Sequence, residues 1–247
     1  MVRGLEIFKK YFERYSEQYV LIGGVACDIS FHEIDSDFRA TKDFDMVLVI
    51  DKINKEFGDT FWRFIHDGGY RNKIKGEGKF QFYRFDKPSN LSFPKMIELF
   101  SRTEIDLFGN QILTPIHLDD SVSSLSAILL NEVYYQSLLD GKTIIDGITC
   151  LKPTWLIPFK ARAWLDLTNQ QREGNHVDSR NIKKHKNDII RLSTEFVLES
   201  YPWHDEIKQD IRQFINEANL QDQDILNLDI LDVSAQDIIE LLNKIYL

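Results

Sequence analysis

Three acidic residues in the first half of the chain could take part in metal-assisted phosphoryl chemistry. Asp43 and Asp45 stand at the start of an apolar run, residues 44–50, that is typical of a β-strand. Side chains two residues apart in a strand point to the same face, so these carboxylates project together. Such a pair can hold Mg²⁺, which prefers hard oxygen ligands and keeps positions open for water and phosphates. An isolated pair of this kind is also common as solvated carboxylates at a strand end, so it needs support from other features.

Two further features supply that support. Gly23 and Gly24 follow a short apolar run, residues 19–22, and open a helical stretch. Glycine lets backbone N–H groups approach an anion closely, and the new helix adds the positive end of its dipole. Glu98 lies in an otherwise apolar strand, where an isolated buried carboxylate is costly. It therefore needs a cationic partner or an open cleft, unless it faces solvent on an edge strand.

The elements that must position these residues form two groups, and together they predict an α+β fold. The first group, residues 1–152, predicts a mixed β-sheet flanked by helices; the second, residues 153–247, predicts a helical domain. The expected strands are 19–22, 44–50, 79–85, 95–100, 111–116 and a hairpin that turns at Asp146-Gly147. The expected helices are an N-terminal one with its apolar stripe at Leu5, Phe8, Phe12 and Tyr15, then 24–34, 52–67, one ending at Leu139, 154–171, 178–199, 204–219 and 234–246.

Composition limits the class of protein. The 247 residues are 43% hydrophobic and 28% charged, which indicates a globular chain. A chain with a net charge of −9 is expected to bind nucleic acid poorly in general, although a local basic strip could still bind an anion. Cys27 and Cys150 are the only cysteines, and their apolar neighbours predict buried free thiols. No apolar run approaches the ~20 residues of a membrane span, so we expect a cytoplasmic protein with no membrane partner.

The order Gly23-Gly24, Asp43-Phe44-Asp45, Glu98 resembles that of the DNA polymerase β-type nucleotidyltransferase superfamily. The stretches GGVACD (23–28) and RATKDFDMVLVID (39–51) resemble the AbiEii/AbiGii toxin-type members, and more distantly the aminoglycoside and lincosamide nucleotidyltransferases. In the second half, PFKARAWLDL (158–167) and SRNIKKHKNDIIRL (179–192) are similar to the helical segment of the toxin family. One departure concerns Gly24, because many members have a serine there whose hydroxyl touches phosphate.

The resemblance implies a nucleotidyltransferase-like fold with its NTP substrate in a cleft between the two domains. It implies that Asp43 and Asp45 hold Mg²⁺ on the triphosphate, and that Glu98 completes the metal site or acts as the base. Gly23 and Gly24 would cradle the phosphates. The residues that would face the cleft from the helical domain are Lys160, Lys186 and Asp188.

Several side chains have more than one interpretation. Arg39 could reach a phosphate or brace Asp43, and Lys160 could bind phosphate or simply extend along the surface. Asp188 could pair with Lys184 at helical spacing or orient a catalytic lysine. Asp28 follows Gly24 by about one helical turn and could face the cleft, but an exposed helix acid is the expected interpretation. The helix around 178–192 is basic whereas residues 217–243 contain acids but no Lys or Arg, and this asymmetry predicts that the basic helix faces an anion.

We therefore expect a Mg²⁺-dependent nucleotidyltransferase whose acceptor is an RNA such as tRNA, a protein side chain or a small molecule. Toxin-type relatives are often paired with an antitoxin, so the resemblance allows an antitoxin protein as partner. One alternative is an antibiotic nucleotidyltransferase, for which an acidic acceptor pocket would be expected because aminoglycosides are cationic. The other is a non-catalytic nucleotide-binding relative, against which the intact acids count.

Overall fold

The computed structural model describes residues 2–72, 81–101, 128 and 131–247. These residues form two compact units, and the last boundary between them along the chain lies between Lys152 and Pro153. The first contains the described residues up to Ser101 together with residues 141–152, and the second contains those from 128 to 140 together with 153–247. The second unit therefore includes a helix that lies before the division predicted from the sequence.

One mixed β-sheet organises the first unit, in the order β3-β4-β5-β2-β1-β7-β6. Its strands are β1 (Tyr19–Ile22), β2 (Asp43–Leu48), β3 (Arg71–Asn72), β4 (Gln81–Asp86), β5 (Met96–Ser101), β6 (Lys142–Ile145) and β7 (Ile148–Leu151). The pairs β1/β7 and β2/β5 are parallel, whereas β1/β2, β3/β4, β4/β5 and β6/β7 are antiparallel. The hairpin β6–β7 turns at Asp146 and Gly147, both with positive φ (47° and 76°), as its sequence predicts.

The described part of the first unit contains three α-helices, α1 (Leu5–Phe12), α2 (Gly23–Glu33) and α3 (Lys55–Gly68), and two short 3-10 helices, at Glu13–Tyr15 and Ile50–Lys52. Within α1 the stripe residues Leu5, Phe8 and Phe12 are buried. Phe8 packs on Tyr19, Phe44 and Phe64 with ring centroids 5.4–5.9 Å apart. Edge-to-face and tilted arrangements of this kind are the favoured geometries of aromatic pairs. The strands that carry the acids are therefore backed by a dense aromatic core.

The second unit consists of helices: α4 (Glu132–Asp140), α5 (Pro153–Arg172), α6 (Ser179–Glu195), α7 (Asp205–Glu217), α8 (Asp222–Leu226) and α9 (Ala235–Tyr246). The first of them is held by buried polar contacts. The Tyr134 hydroxyl donates to Asp210 Oδ2 at 2.6 Å, and Arg162 Nη1 donates to both oxygens of that carboxylate at 3.1 Å. Burial, and then the charge of Asp210, raise the pKa of Tyr134 well above its ordinary value. These bonds explain why α4 groups with the helices that follow.

The α+β class predicted from the sequence is confirmed, as a mixed sheet with flanking helices followed by helices. Several details differ. Asp43 lies within the regular ladder, opposite Met96, and α8 was not predicted. The predicted strand 111–116 lies outside the described residues. The prediction that Asp28 is exposed was wrong: its carboxylate is buried and accepts a 2.7 Å hydrogen bond from the backbone N–H of Val2.

None of the helices in the described parts of the chain combines the length and the apolar composition that crossing a membrane requires.

The two thiols are buried, as the sequence predicts, and should be inert in the native protein. Burial raises the pKa of Cys150 to about 12, and both cysteines are 0% exposed. Because the thiolate is the reacting species, only roughly one part in ten thousand of Cys150 would be reactive at pH 8. We expect no reaction with a colorimetric thiol reagent at pH 8, and two equivalents after unfolding in urea. A stoichiometric reaction of the native protein would contradict this burial.

Candidate active site

The three acids of the sequence motif come from two adjacent central strands. Asp43 and Asp45 lie two residues apart on β2, and Asp45 is directly opposite Glu98 on the parallel strand β5. Adjacent strands are about 4.8 Å apart, and residues opposite each other point to the same face. The two aspartates are half-buried and Glu98 is buried. The sheet therefore brings the predicted acids to one face, although their spacing in the sequence is wide.

Glu98 is held by an arginine on the next strand. Arg84 lies opposite it on β4, donates from Nε to Glu98 Oε1 at 2.9 Å, and has Nη2 2.7 Å from the same oxygen. Glu98 Oε2 accepts no hydrogen bond from any residue that the structure describes. The sequence required a cationic partner or an open cleft for this buried acid, and the partner is Arg84. The carboxylate is thus fixed through one oxygen, which leaves the other available to a ligand.

Gly23 is required by the closeness of Asp45. It begins α2 with φ +66°, in the left-handed region, and a Cβ at this position would overlap the Asp45 carboxylate. Both constraints exclude a side chain here. Asp45 therefore lies against the first turn of α2, whose N-cap residue, Ile22, provides no side-chain hydrogen bond. A negative charge is stabilised at this end of a helix.

Gly24 is required by the loop that precedes β2. A Cβ at Gly24 would overlap the hydroxyl of Thr41 and come within 3.6 Å of Arg39 Nη2. The Arg39 guanidinium also lies over the ring of Phe38, 4.9 Å from its centroid. Because neither glycine has a side chain, Asp45 and Thr41 can lie against the start of α2. The sequence alone suggested only that the glycines bind phosphates.

Gly24→Ala should lower stability even though alanine is the better helix former. Alanine favours a helix interior by about 1 kcal/mol over glycine, but overpacking against a short branched side chain typically costs 1–3 kcal/mol. We therefore expect a net loss in urea unfolding. In a Thr41→Ala background, which removes the hydroxyl and leaves the Cβ 3.2 Å away, the same change should cost clearly less. Equal losses in the two backgrounds would contradict the contact between Thr41 and Gly24.

Lys160 and Asp188 bond each other inside the second unit. Lys160 Nζ donates to Asp188 Oδ2 at 2.7 Å, and the side chains are 5% and 0% exposed. The burial of Lys160 shows that it does not extend along the surface. Its bond to Asp188 joins two residues that are 28 positions apart. These residues come from α5 and α6, and each has interactions besides this bond.

Lys186 is also paired within the second unit. Its Nζ donates to Asp224 Oδ2 on α8 at 2.9 Å, with the two side chains 18% and 19% exposed. The basic helix and the acidic C-terminal segment are thus joined by at least one ion pair, so part of their opposite charge is used in holding them together. The sequence could not reveal this, because 38 positions separate the partners.

A metal ion at this site would have to be held mainly by Asp43 and Asp45. Among the described residues, no three His, Cys, Asp or Glu side chains are arranged so that they could hold a metal ion together. Magnesium does not require such a cage, because it is usually bound by one or two carboxylates together with waters and substrate phosphates. The aspartate pair therefore fits Mg²⁺, and would not by itself make a closed site for zinc.

The sequence prediction missed two residues of this site, Arg84 and Thr41. Arg84 had a signal that could have found it, since it is a charged residue in a strand that alternates polar and apolar positions beside the strand of Glu98. Thr41 had none, because its contact with Gly24 depends on the path of the loop.

This chain is similar to known proteins in structure, but the sequence comparisons found no match. No protein-family model matches the sequence, and no curated protein matches it. One similar solved structure is an antigenic nucleotidyltransferase-like protein from Paracoccidioides brasiliensis, with a TM-score of 0.43 and 15% identity over 91% of this chain and 93% of that one. Another is MenT4, a nucleotidyltransferase toxin from Mycobacterium tuberculosis H37Rv, with a TM-score of 0.33 and 12% identity over 98% and 80% of the chains. Similarity this distant assigns no residue roles to this chain.

Proposed function

We propose that this protein is a Mg²⁺-dependent nucleotidyltransferase that moves a nucleoside monophosphate from an NTP to an acceptor hydroxyl. The observation that carries the proposal is the alignment of Asp43, Asp45 and Glu98 on one face of two adjacent strands, with Asp45 against Gly23 at the start of α2. The reaction needs carboxylates for a metal beside donors for phosphate. The alignment supplies the carboxylates, and the helix start supplies the donors.

Asp43 and Asp45 would hold the metal. When bound, Mg²⁺ neutralises phosphate charge and stabilises the attacking and leaving oxygens of the displacement. The first N–H groups of α2 have no intrahelical partner and can donate to phosphate oxygens. The Thr41 hydroxyl, which lies over Gly24, and the Arg39 guanidinium add side-chain donors at the same helix start.

Glu98 would act as the base. Arg84 occupies Oε1, so the carboxylate is fixed in orientation and offers Oε2 to a single proton. In the transfer, the acceptor oxygen bonds to the α-phosphorus and its proton passes to Glu98. The bond from the α-phosphorus to the oxygen that bridges to the β-phosphate breaks, and pyrophosphate leaves with that electron pair. A positioned general base of this kind contributes about 10²–10⁴-fold to a rate.

The test is a transfer assay with the full chain. The protein is incubated with each α-labelled NTP, Mg²⁺ and total cellular RNA, and label in RNA and in protein is measured separately. The matched variant is Asp43→Asn/Asp45→Asn, which keeps the side-chain shapes and removes both charges. We expect label transfer by the unmodified protein that requires Mg²⁺ and is lost in the variant.

Two outcomes would overturn parts of this proposal. Transfer that survives in the double variant would show that these aspartates do not hold the metal. NTP binding by calorimetry without transfer to RNA, protein or small hydroxyl compounds would favour the non-catalytic relative. The labelled product of the assay would identify the acceptor. The antitoxin partner that the resemblance allows stays a prediction.

A further inference from the structure

A pocket in the second unit lies outside the set of residues to which the proposed transfer gives a step, although the resemblance places one of its lining residues, Lys186, in the NTP cleft. It has a volume of about 490 Å³ and lies where α5, α6 and α8 meet, lined by Trp164, Arg180, Ile182, Lys183, Lys186 and Asp224 among others. This volume is within the range of small-molecule sites, roughly 300–1,000 Å³. All of these residues belong to one compact unit, so the pocket does not depend on the first unit.

The lining combines a buried aromatic residue with exposed cations. Trp164 is 6% exposed and packs edge-on against Phe214, with ring centroids 5.4 Å apart. Ile182 is half-buried, whereas Arg180 and Lys183 are exposed. The pocket thus offers an apolar, partly aromatic surface beside positive charge. That combination suits a ligand with a flat ring at one end and an anion at the other.

Lys183 and Arg180 can bind an anion without breaking a strong ion pair. Lys183 makes no ion pair with any residue that the structure describes. Arg180 pairs with Asp178, but its side chain is 90% exposed, and exposed pairs of this kind are weak. Arginine can therefore turn to a phosphate, which it contacts with two parallel hydrogen bonds. The excess of positive charge is local, because the whole chain carries a net charge of −9.

One carboxylate oxygen adds a hydrogen-bond acceptor. Asp224 Oδ2 accepts from Lys186 Nζ at 2.9 Å and from the backbone N–H of Gln221 at 3.1 Å. Asp224 Oδ1 accepts no hydrogen bond from the residues that the structure describes. An acidic oxygen beside a phosphate site is the group that commonly accepts from a ribose hydroxyl.

We propose that this pocket binds a nucleotide, with its phosphate at Arg180 and Lys183, its base beside Trp164 and Ile182, and a ribose hydroxyl at Asp224. Two sources have this chemistry, a free mononucleotide and the terminal nucleotide of an RNA chain. A cationic aminoglycoside does not fit the charges of this lining. The proposal concerns binding and stands whether or not the protein transfers nucleotides.

The experiment measures binding in a chain whose first-unit acids have been neutralised. The full chain carrying Asp43→Asn/Asp45→Asn is titrated without Mg²⁺, by calorimetry and tryptophan fluorescence, with AMP, adenosine, inorganic phosphate and a short single-stranded oligoribonucleotide. We expect AMP or the oligonucleotide to bind at least tenfold more tightly than adenosine or phosphate. Lys183→Gln and Arg180→Gln should each weaken that binding about tenfold or more, since each removes a charged hydrogen bond.

The matched control is Lys208→Gln, a change of an α7 lysine in the same unit that does not line the pocket. It should leave the affinity within about twofold. Binding of AMP identifies a free nucleotide as the source, and binding of the oligonucleotide alone identifies an RNA end. Equal affinity for adenosine and AMP, no binding of any probe, or equal losses in the pocket variants and the control would each overturn the proposal. Failure of the transfer assay would leave these results unchanged.

Discussion

Replacing Asp188 with alanine is expected to lower the free energy of unfolding of the second unit by about 3–5 kcal/mol. The change leaves the Lys160 ammonium without the carboxylate that it contacts at 2.7 Å, in a place where its side chain is only 5% exposed. Removing one partner of a buried ion pair is costly because the remaining charge stays desolvated. The measurement is urea unfolding followed by fluorescence, which reports mainly on this unit because Trp155, Trp164 and Trp203 lie in it.

Two variants complete this test. Arg172→Ala removes an ion pair with Glu217 in the same unit, but Arg172 is 56% exposed, so a loss below about 1 kcal/mol is expected. Lys160→Met/Asp188→Leu replaces the buried pair with apolar side chains and should recover most of the stability lost in Asp188→Ala. A double variant no more stable than the single one would contradict the pairing as the source of the effect.

The same double variant separates stability from function. A folded Lys160→Met/Asp188→Leu protein that keeps full transfer activity would make the pair purely structural. A folded protein that has lost transfer would support the role that the resemblance implies for Lys160.

Asp45→Asn is expected to lower nucleotidyl transfer roughly a thousandfold, since about 4 kcal/mol of lost metal-assisted stabilisation corresponds to three factors of ten. The substitution keeps the shape of the side chain against Gly23, so the fold should persist. The variant should also require a higher Mg²⁺ concentration for half-maximal rate. Initial rates across a Mg²⁺ titration measure both effects.

Glu98→Gln is the informative comparison. Its amide oxygen can still accept from Arg84, but it cannot take a proton, so the rate should fall about 10²–10⁴-fold with an unchanged Mg²⁺ midpoint. Asp51→Asn, an exposed acid beyond the other end of β2, serves as the control and should change neither quantity. If saturating Mg²⁺ restores the rate of Glu98→Gln, Glu98 is a metal ligand instead of the base.

The sequence predicted much of the fold because its signals were local. The apolar runs at 19–22 and 44–50 and the Asp146-Gly147 turn each depend on neighbouring residues. The structure confirms the first strand and the turn, and it places the second strand at Asp43–Leu48. The short helix α8 was missed because five residues carry too little periodicity. The joining of α4 to the later helices was missed because it depends on a contact between Tyr134 and Asp210, 76 positions apart.

In the candidate site, too, the sequence predicted what depends on neighbouring residues and missed what depends on contacts between distant ones. The common face of Asp43 and Asp45 follows from strand geometry, but the position of Glu98 opposite Asp45 depends on strand order, which the sequence left open. The sequence also explained only part of why residue 24 is a glycine. A helix start predicts phosphate donors, but only the folded loop shows that Thr41 fills the space above this glycine.

The parallel pairing of β1 with β7, through Leu21 and Cys150, has a consequence for the growing chain. During synthesis the N-terminal strand emerges early, whereas its partner appears only after most of the sheet has been made. Until then β1 has β2 on one side and an open edge of N–H and C=O groups on the other, and open edges of apolar strands favour aggregation. The hairpin β6–β7 is thus the piece that covers the open edge of β1. Substitutions at Asp146 or Gly147 should therefore reduce the soluble yield more than the equilibrium stability.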